Sequence, residues 1–206
     1  HPSNYKISGF TEEVSVAALS DLEIPVVADL GSGFIDEGCH WLRDSKPSWL
    51  RDEPAVKQTL EAGAALVTFS GDKLFGGPQA GVIAGRADLI EACAQHPLMR
   101  AFRPGALVLG ALQQTALAYL RRDGDAIPFW RMAQTPVPQL LARAEAISAD
   151  RSVTTNAMTG GGSLPGEEIP SAGIRLDGDV AAGLREAPIP VIARVRDQAT
   201  FIDLRT

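Results

Sequence analysis

One lysine of this chain, Lys73, stands in a setting that favours covalent chemistry. It follows the apolar run at residues 64–69 and lies within the glycine-rich sequence SGDKLFGGPQAG at positions 70–81. Gly76 and Gly77 provide backbone dihedrals that larger residues rarely adopt, so the lysine is expected on a sharp turn at the end of a strand. An amine held there in a partly desolvated pocket favours its neutral form and can make a Schiff base with an aldehyde. The turn alone leaves a solvated loop lysine as the alternative.

An acidic residue, Asp29, directly follows a second apolar run at residues 24–28. Between the two runs, residues 53–62 have the pattern of a helix with a proline in its first turn and a glycine after its end. The order strand, helix, strand predicts a βαβ crossover, which brings Asp29 and Lys73 to the same carboxyl edge of a sheet. Pyridoxal phosphate suits this pair, because the amine bonds its aldehyde and the carboxylate keeps its pyridine nitrogen protonated.

Two further side chains of the same turn are candidates for this site. Ser70 can offer its hydroxyl to a cofactor phosphate, and Asp72 can assist proton movement. Either side chain can instead cap the turn, and for Asp72 the catalytic and the local interpretation have equal weight.

Six stretches of the chain resemble the bacterial selenocysteine synthases, the L-seryl-tRNA(Sec) selenium transferases. In the order of the family they are HPSNY at 1–5, GFTEEV at 9–14, DLGSG at 29–33, FSGDKLFGGPQAG at 69–81, GGSLPG at 161–166 and DLRT at 203–206. The resemblance implies the C-terminal part of a fold-type-I enzyme that depends on pyridoxal phosphate. The implied α/β fold is a large domain with a mostly parallel sheet and flanking helices, followed by a small α+β domain. Lys73 matches the family's Schiff-base lysine.

The resemblance also implies a reaction. The seryl group on its tRNA loses water to give an enzyme-bound aminoacrylyl species, and selenophosphate then supplies selenium to form selenocysteinyl-tRNA. Arg100 and Arg103 are spaced to share one face of a helical turn, where guanidinium groups can hold phosphate oxygens at two points. Their spacing alone favours a solvated basic turn, and the resemblance assigns them to the site for selenophosphate.

The change of composition along the chain predicts three regions. Residues 1–124 are expected to be a partial cofactor domain, residues 125–150 a helical connection and residues 151–206 a small α+β domain. The enzymes of the family are much longer, so we expect this chain to be a fragment that lacks the N-terminal portion of the cofactor domain.

The charge of the chain is unusual for a dedicated nucleic-acid-binding domain. It has 19 Lys and Arg against 25 Asp and Glu, a net charge of −6, whereas such domains are usually basic. We therefore expect seryl-tRNA(Sec) to be held mainly by absent regions and by other subunits of a homo-oligomer. Cys39 and Cys93 lack metal-ligand spacing, which favours reduced thiols in the cytoplasm and no metal site. We expect no membrane span, since no apolar run is long enough.

Two other functions remain open at this point. A related pyridoxal-phosphate-dependent lyase of a small amino acid or amino sugar acid would share Asp29 and Lys73 without using tRNA. A truncated product could instead fold without completing the cofactor pocket. The turn at 70–81, taken whole, favours the selenium transferase.

Overall fold

The computed structural model describes residues 9–10, 14–159 and 163–205. The motif at 1–5, parts of those at 9–14 and 161–166, and Thr206 lie outside the described residues. The chain divides into two compact units, one of residues 1–131 with 160–166 and one of residues 132–159 with 167–206. The boundaries that we expect at residues 124 and 150 stay a prediction for the longer protein.

The first unit contains a three-stranded sheet that positions residues 71–80, the turn that carries Lys73 (the lysine turn). Its strands are β1 (Val27–Gly31), β2 (Leu66–Ser70) and β3 (Gly81–Gly85), in that order. β1 and β2 are parallel, and helix α2 (Val56–Glu61) lies in the connection between them. The predicted βαβ crossover is therefore confirmed. β3 runs antiparallel to β2, because the lysine turn joins the two strands directly and parallel strands need a longer crossover.

The helix predicted at residues 53–62 forms as α2, within a few residues of its expected bounds. α2 begins after Pro54, so that Glu53 stays in the preceding loop, and α3 ends before Pro97, which cannot continue the helical hydrogen bonds. The helices besides α2 are α1 (Val16–Ser20), α3 (Ala87–Gln95), α4 (Leu98–Phe102), α5 (Ala106–Leu120), α6 (Pro128–Ala133), α7 (Val137–Ser148) and α8 (Ala181–Arg185). In the described part of the chain, no helix combines the length and apolar character that crossing a membrane requires.

The side chain of Tyr119 holds the backbone of the lysine turn through hydrogen bonds. The Tyr119 hydroxyl on α5 donates to the carbonyl oxygens of Leu74 (3.2 Å) and Phe75 (3.0 Å). The indole N–H of Trp130 donates to the Tyr119 oxygen at 2.7 Å. Burial raises the pKa of the Tyr119 phenol, which keeps it protonated and able to donate. The single hydroxyl proton of Tyr119 is thus shared between two carbonyl groups of the turn.

The backbone of the turn also closes on itself. The Gly71 amide donates to the Ala80 carbonyl at 2.8 Å, and the Gly77 amide donates to the Gly71 carbonyl at 2.7 Å. Gly76 has a φ of +74°, and a Cβ at this position would collide with the side chain of Ile127. A residue without a side chain is therefore required at Gly76 for both conformation and space.

The second unit is an antiparallel sheet with a helix packed on it, which confirms the expected small α+β fold. Helix α7 packs against the first two strands. The strand order is β4 (Ser152–Met158), β5 (Glu168–Asp177), β7 (Ala199–Asp203) and β6 (Arg194–Arg196).

A buried arginine ties the end of this unit to its beginning. The Arg205 guanidinium donates to the carbonyl oxygens of Met132 (2.9 Å), Ala133 (3.0 Å) and Thr135 (2.9 Å), and also to that of Pro170. Burial lowers the pKa of Arg205, although the negative charge of the nearby Asp203 opposes this effect. The carbonyl cluster gives the buried cation polar partners that offset part of its desolvation.

Tyr119→Phe tests how much the phenol contributes to stability. The variant keeps the ring but removes the donor to two carbonyls and the acceptor for Trp130. We expect the free energy of unfolding of the intact protein to fall by about 1–3 kcal/mol, because buried polar groups lose their partner. Urea unfolding measures this loss.

Thr115→Val on the same helix is the matched control for Tyr119→Phe. The Thr115 hydroxyl donates to the Ala111 carbonyl at 3.1 Å, within the helix itself, so its removal should cost less than about 1 kcal/mol. Equal losses in the two variants would contradict the special role of Tyr119.

Candidate active site

Asp29 and the turn that carries Lys73 emerge at the same edge of the sheet. In the parallel ladder Asp29 pairs with Thr68 and Gly31 pairs with Phe69, so β1 and β2 end side by side. The Thr68 hydroxyl donates to the Asp29 carboxylate at 2.8 Å and orients it. The crossover thus brings the acidic residue to the edge at which the lysine turn begins.

The candidate residues of the turn differ in their exposure to solvent. Lys73 and Ser70 are half-buried, and Asp72 is exposed. The Lys73 carbonyl accepts a hydrogen bond from the Gly76 amide at 2.9 Å, which fixes the backbone from which the amine extends. The amine therefore has a fixed origin and partial protection from water, whereas the Asp72 carboxylate is open to solvent.

The loop that follows β1 packs directly on the lysine turn. Gly33 has a φ of +72°, and a Cβ there would lie 2.7 Å from Phe69 Cδ2, 3.0 Å from Phe75 Cβ and 3.0 Å from the Ser70 carbonyl oxygen. No side chain fits in this space. The close approach holds Ser32, the residue before Gly33, beside the edge that carries the lysine.

Glu53 is a functional candidate whose local sequence pattern predicts only a helix start. Its side chain is half-buried. Burial raises the pKa of the Glu53 carboxyl, while the Ser32 hydrogen bond and the positive charges of Lys73 and Lys46 oppose this rise. The positive charge of Lys73 therefore favours the ionised form of the Glu53 carboxyl.

The sequence contained one signal that could have found Glu53. Loops that follow the carboxyl ends of parallel strands converge on the ligand in open α/β sheets. Glu53 lies in the loop between β1 and α2, just ahead of Pro54. Its position in that loop, rather than its local pattern, points to the site.

The two arginines lie on a different part of the first unit. Arg100 is in α4 and Arg103 directly follows its end, and both are exposed. Their neighbours Leu98 and Met99 line an apolar groove with Leu66, which is the first residue of β2, whereas the lysine turn follows the last. The contacts described above for the lysine turn do not include the arginines.

The side chains at the sheet edge fit pyridoxal phosphate. The Lys73 amine can bond an aldehyde, and the carboxylate of Asp29 at the same edge can face a protonated ring nitrogen. Burial raises the pKa of the Cys39 thiol to about 11, so Cys39 is not a ready thiolate nucleophile. Across residues 14–159 and 163–205, no three or more His, Cys, Asp or Glu side chains are grouped to hold a metal ion.

The family model and the curated relatives that match this chain agree on one family. The SelA family, described as L-seryl-tRNA selenium transferase, matches residues 1–206. The L-seryl-tRNA(Sec) selenium transferase of Moorella thermoacetica is 42% identical over 229 residues, covering 100% of this chain and 47% of the relative. The enzyme of the same name from Klebsiella pneumoniae is 38% identical over 231 residues, covering 100% of this chain and 48% of the relative. The chain spans about half the length of these curated relatives.

A solved structure has a similar fold. The D-glucosaminate-6-phosphate ammonia-lyase matches with a TM-score of 0.53 and 24% sequence identity, over 94% of this chain and 48% of the lyase chain. The likeness supports the expected α/β fold. The match along the whole chain, together with the identity to curated relatives, shows that this chain belongs to the SelA family of L-seryl-tRNA selenium transferases.

Proposed function

We propose that the protein containing this chain converts seryl-tRNA(Sec) to selenocysteinyl-tRNA(Sec) with selenophosphate as the selenium donor. The observation that carries the proposal is the parallel crossover that brings Asp29 to the edge where the Lys73 turn begins, in a chain that matches the family over its whole length. The proposal includes pyridoxal phosphate as cofactor, with Lys73, Asp29 and Ser70 as the residues that hold it.

Each of these residues has a separate task. Lys73 would bond the aldehyde carbon, Asp29 would hold a proton on the ring nitrogen, and the Ser70 hydroxyl would donate to the phosphate. Bound pyridoxal phosphate supplies an electron sink for the charge that develops at the substrate α carbon. The hydrogen bond from Thr68 keeps the Asp29 carboxylate oriented for its task.

Loss of water from the seryl group requires two proton movements. The Lys73 amine would accept the proton from the α carbon. Asp72 assists the proton that must reach the departing hydroxyl group, and its exposure suits contact with a large substrate. Two neighbouring residues of one rigid turn thus handle the two protons.

The second half of the reaction needs a site for an anion. We assign this site to Arg100 and Arg103, whose exposed guanidinium groups can hold the phosphate oxygens of selenophosphate. The proposal also includes a homo-oligomer in the cytoplasm. The tRNA would bind mainly to other parts of the longer protein, because this chain carries a net charge of −6.

The lyase alternative is weaker. The ammonia-lyase shares the fold at 24% identity, whereas the curated relatives at 42% and 38% identity are selenium transferases. An assay with serine or an amino sugar acid in place of seryl-tRNA(Sec) tests the lyase alternative. Turnover of the small substrate at a rate comparable to that of seryl-tRNA(Sec) would favour the lyase.

Lys73→Ala is expected to abolish covalent attachment of the cofactor. The intact protein is incubated with pyridoxal phosphate, reduced with borohydride, digested and analysed by mass spectrometry. Wild type should carry the adduct on the peptide that contains Lys73. Lys57→Ala is the control, because Lys57 is an exposed lysine paired with Asp36 at 3.1 Å, and its variant should keep the adduct on Lys73. Absence of an adduct on Lys73 in wild type would sink the assignment.

Asp29→Asn is expected to leave cofactor binding measurable and to slow elimination of water by at least about 100-fold, since the amide no longer favours the protonated ring. Cofactor fluorescence measures binding, and single-turnover assays measure elimination. Thr68→Val keeps the carboxylate and removes its 2.8 Å hydrogen bond, so the effect should be smaller. An unchanged elimination rate in Asp29→Asn would remove this residue from the mechanism.

Arg100→Ala and Arg103→Ala are expected to raise the selenophosphate KM by about 10–100-fold, because each loses charged hydrogen bonds to the anion. Dehydration of the seryl group, assayed alone, should stay largely intact. Arg86→Ala provides the control, since the Arg86 side chain is exposed and paired with Asp88 at 2.6 Å. Equal loss of both half-reactions would argue for a structural role of the arginines.

A further inference from the structure

The antiparallel sheet of the second unit carries an aromatic ring between two cations. Phe201 on β7 lies directly opposite Arg175 on β5 and Arg194 on β6 in the ladders of the sheet. Residues directly opposite each other on neighbouring strands have side chains on the same face, with Cβ atoms about 4.5–5.5 Å apart. The Phe201 side chain is half-buried, whereas both arginines are exposed. Guanidinium groups therefore flank a flat apolar surface on both sides.

A cavity of about 650 Å³ lies at this ring. Phe201 lines it together with Arg194 and Arg196 of β6. The Arg196 side chain is 76% exposed, and its Nε lies 3.2 Å from a carboxylate oxygen of Asp197, whose side chain is 87% exposed. Ion pairs that are this open to water are weak. A phosphate group, which has more acceptor oxygens than a carboxylate, can therefore displace Asp197 from Arg196.

The turn beside the cavity has an uncommon backbone conformation. Asp197 and Gln198, the two residues that join β6 to β7, have φ angles of +51° and +58°. Two-residue hairpin turns of this kind favour glycine, asparagine or aspartate, and Gln198 is none of these. The Gln198 carbonyl accepts a hydrogen bond from the Gly178 amide at 2.9 Å, which holds the turn in place. Backbone strain of this kind is concentrated at functional sites.

Two other residues of the cavity lining offer hydrogen-bond acceptors. The side-chain amide of Asn156 donates to the Glu168 carboxylate at 2.6 Å, and both residues are exposed. An ionised carboxylate only accepts hydrogen bonds. It can accept from the amino groups of adenine and cytosine, whereas uracil presents an oxygen at the same place. The lining thus combines a surface for stacking, cations for phosphate groups and an acceptor for the edge of a base.

We propose that this cavity binds single-stranded RNA. A base stacks on the Phe201 ring, and backbone phosphates lie on Arg194 and Arg196. Amino groups of the base donate to the Glu168 carboxylate. The inference rests on the proposed function for its purpose, because the substrate of that function is an RNA. It adds one local contact on the second unit, while the net charge of −6 still assigns most of the tRNA to other parts of the longer protein.

Phe201→Leu tests the stacking surface in the intact protein. Fluorescence anisotropy measures binding of dye-labelled single-stranded oligo(A), an RNA duplex and inorganic polyphosphate. We expect the variant to bind oligo(A) about 10-fold more weakly and the other two probes as wild type does, because only an unpaired base can stack. Ile202→Val is the matched control, since it points to the opposite face of the same strand. Equal losses for all three probes in Phe201→Leu, or no loss for oligo(A), overturn the proposal.

Arg196→Gln tests the phosphate contact at an exposed site, where the substitution leaves the fold intact. We expect the slope of log affinity for oligo(A) against log salt concentration to fall in magnitude by about 0.7, the contribution of one phosphate on a single strand. Arg185→Gln is the control for net charge, because Arg185 is exposed at the end of α8 and does not line the cavity. Equal slopes in Arg196→Gln and wild type contradict the proposal.

Glu168→Ala tests the contact with the edge of the base. Wild type should bind oligo(A) about 5-fold more tightly than oligo(U), and the variant should bring this ratio close to one. The ratio is the readout, because removal of a negative charge raises the affinity for both oligonucleotides alike. A ratio equal to that of wild type overturns the contact between the base and Glu168.

A conversion assay on the same proteins separates this inference from the proposed function. If wild type converts seryl-tRNA(Sec) and both Phe201→Leu and Arg196→Gln bind oligo(A) as wild type does, the RNA surface is wrong and the proposed function stands. If the two variants lose oligo(A) binding as expected but wild type makes no selenocysteinyl-tRNA(Sec), the RNA surface is established and the proposed function is wrong.

Discussion

The hydrogen bonds from Tyr119 to two carbonyl groups of the lysine turn are the constraint on which the site depends. The carbonyls of Leu74 and Phe75 are turned away from solvent and need a donor there. The same hydroxyl accepts from the Trp130 indole, so a shift of the turn would break several hydrogen bonds at once. The turn therefore keeps one conformation, and the lysine amine extends from a backbone that does not adapt to its ligand.

Two carboxyl groups at the edge of the sheet have different surroundings and so can have different tasks. Asp29 is exposed and receives a hydrogen bond from Thr68, which suits a group that meets a ligand. Glu53 is half-buried, and burial raises the pKa of its carboxyl while the positive charge of Lys73 opposes this rise. A pair of carboxyl groups in unequal environments is a common way for one site to hold charges for separate purposes.

The crossover and the lysine turn could be predicted from sequence because their signals are local. Apolar runs, a proline near the helix start and glycines at the turns are visible within short windows. The antiparallel direction of β3 follows from its short connection to β2, which is visible in the sequence, whereas the family resemblance alone implies a mostly parallel sheet. Glu53 was missed because its place in the loop after β1, and not its local pattern, points to the site. Arg103 shares a short segment with Arg100 but lies beyond the end of α4, where helical spacing no longer applies.

The reversed strand β3 has a consequence for how the site is assembled. β2 and β3 are joined by residues 71–80 alone, so the contacts that shape the lysine turn are close in sequence. The pairing of β1 with β2 must instead close the longer segment of residues 32–65. Contacts of low sequence separation cost less loop entropy and tend to form faster. We therefore expect the hairpin that holds Lys73 to form early in folding. The later pairing of β1 would complete the sheet edge at which the proposed cofactor residues Asp29 and Lys73 meet.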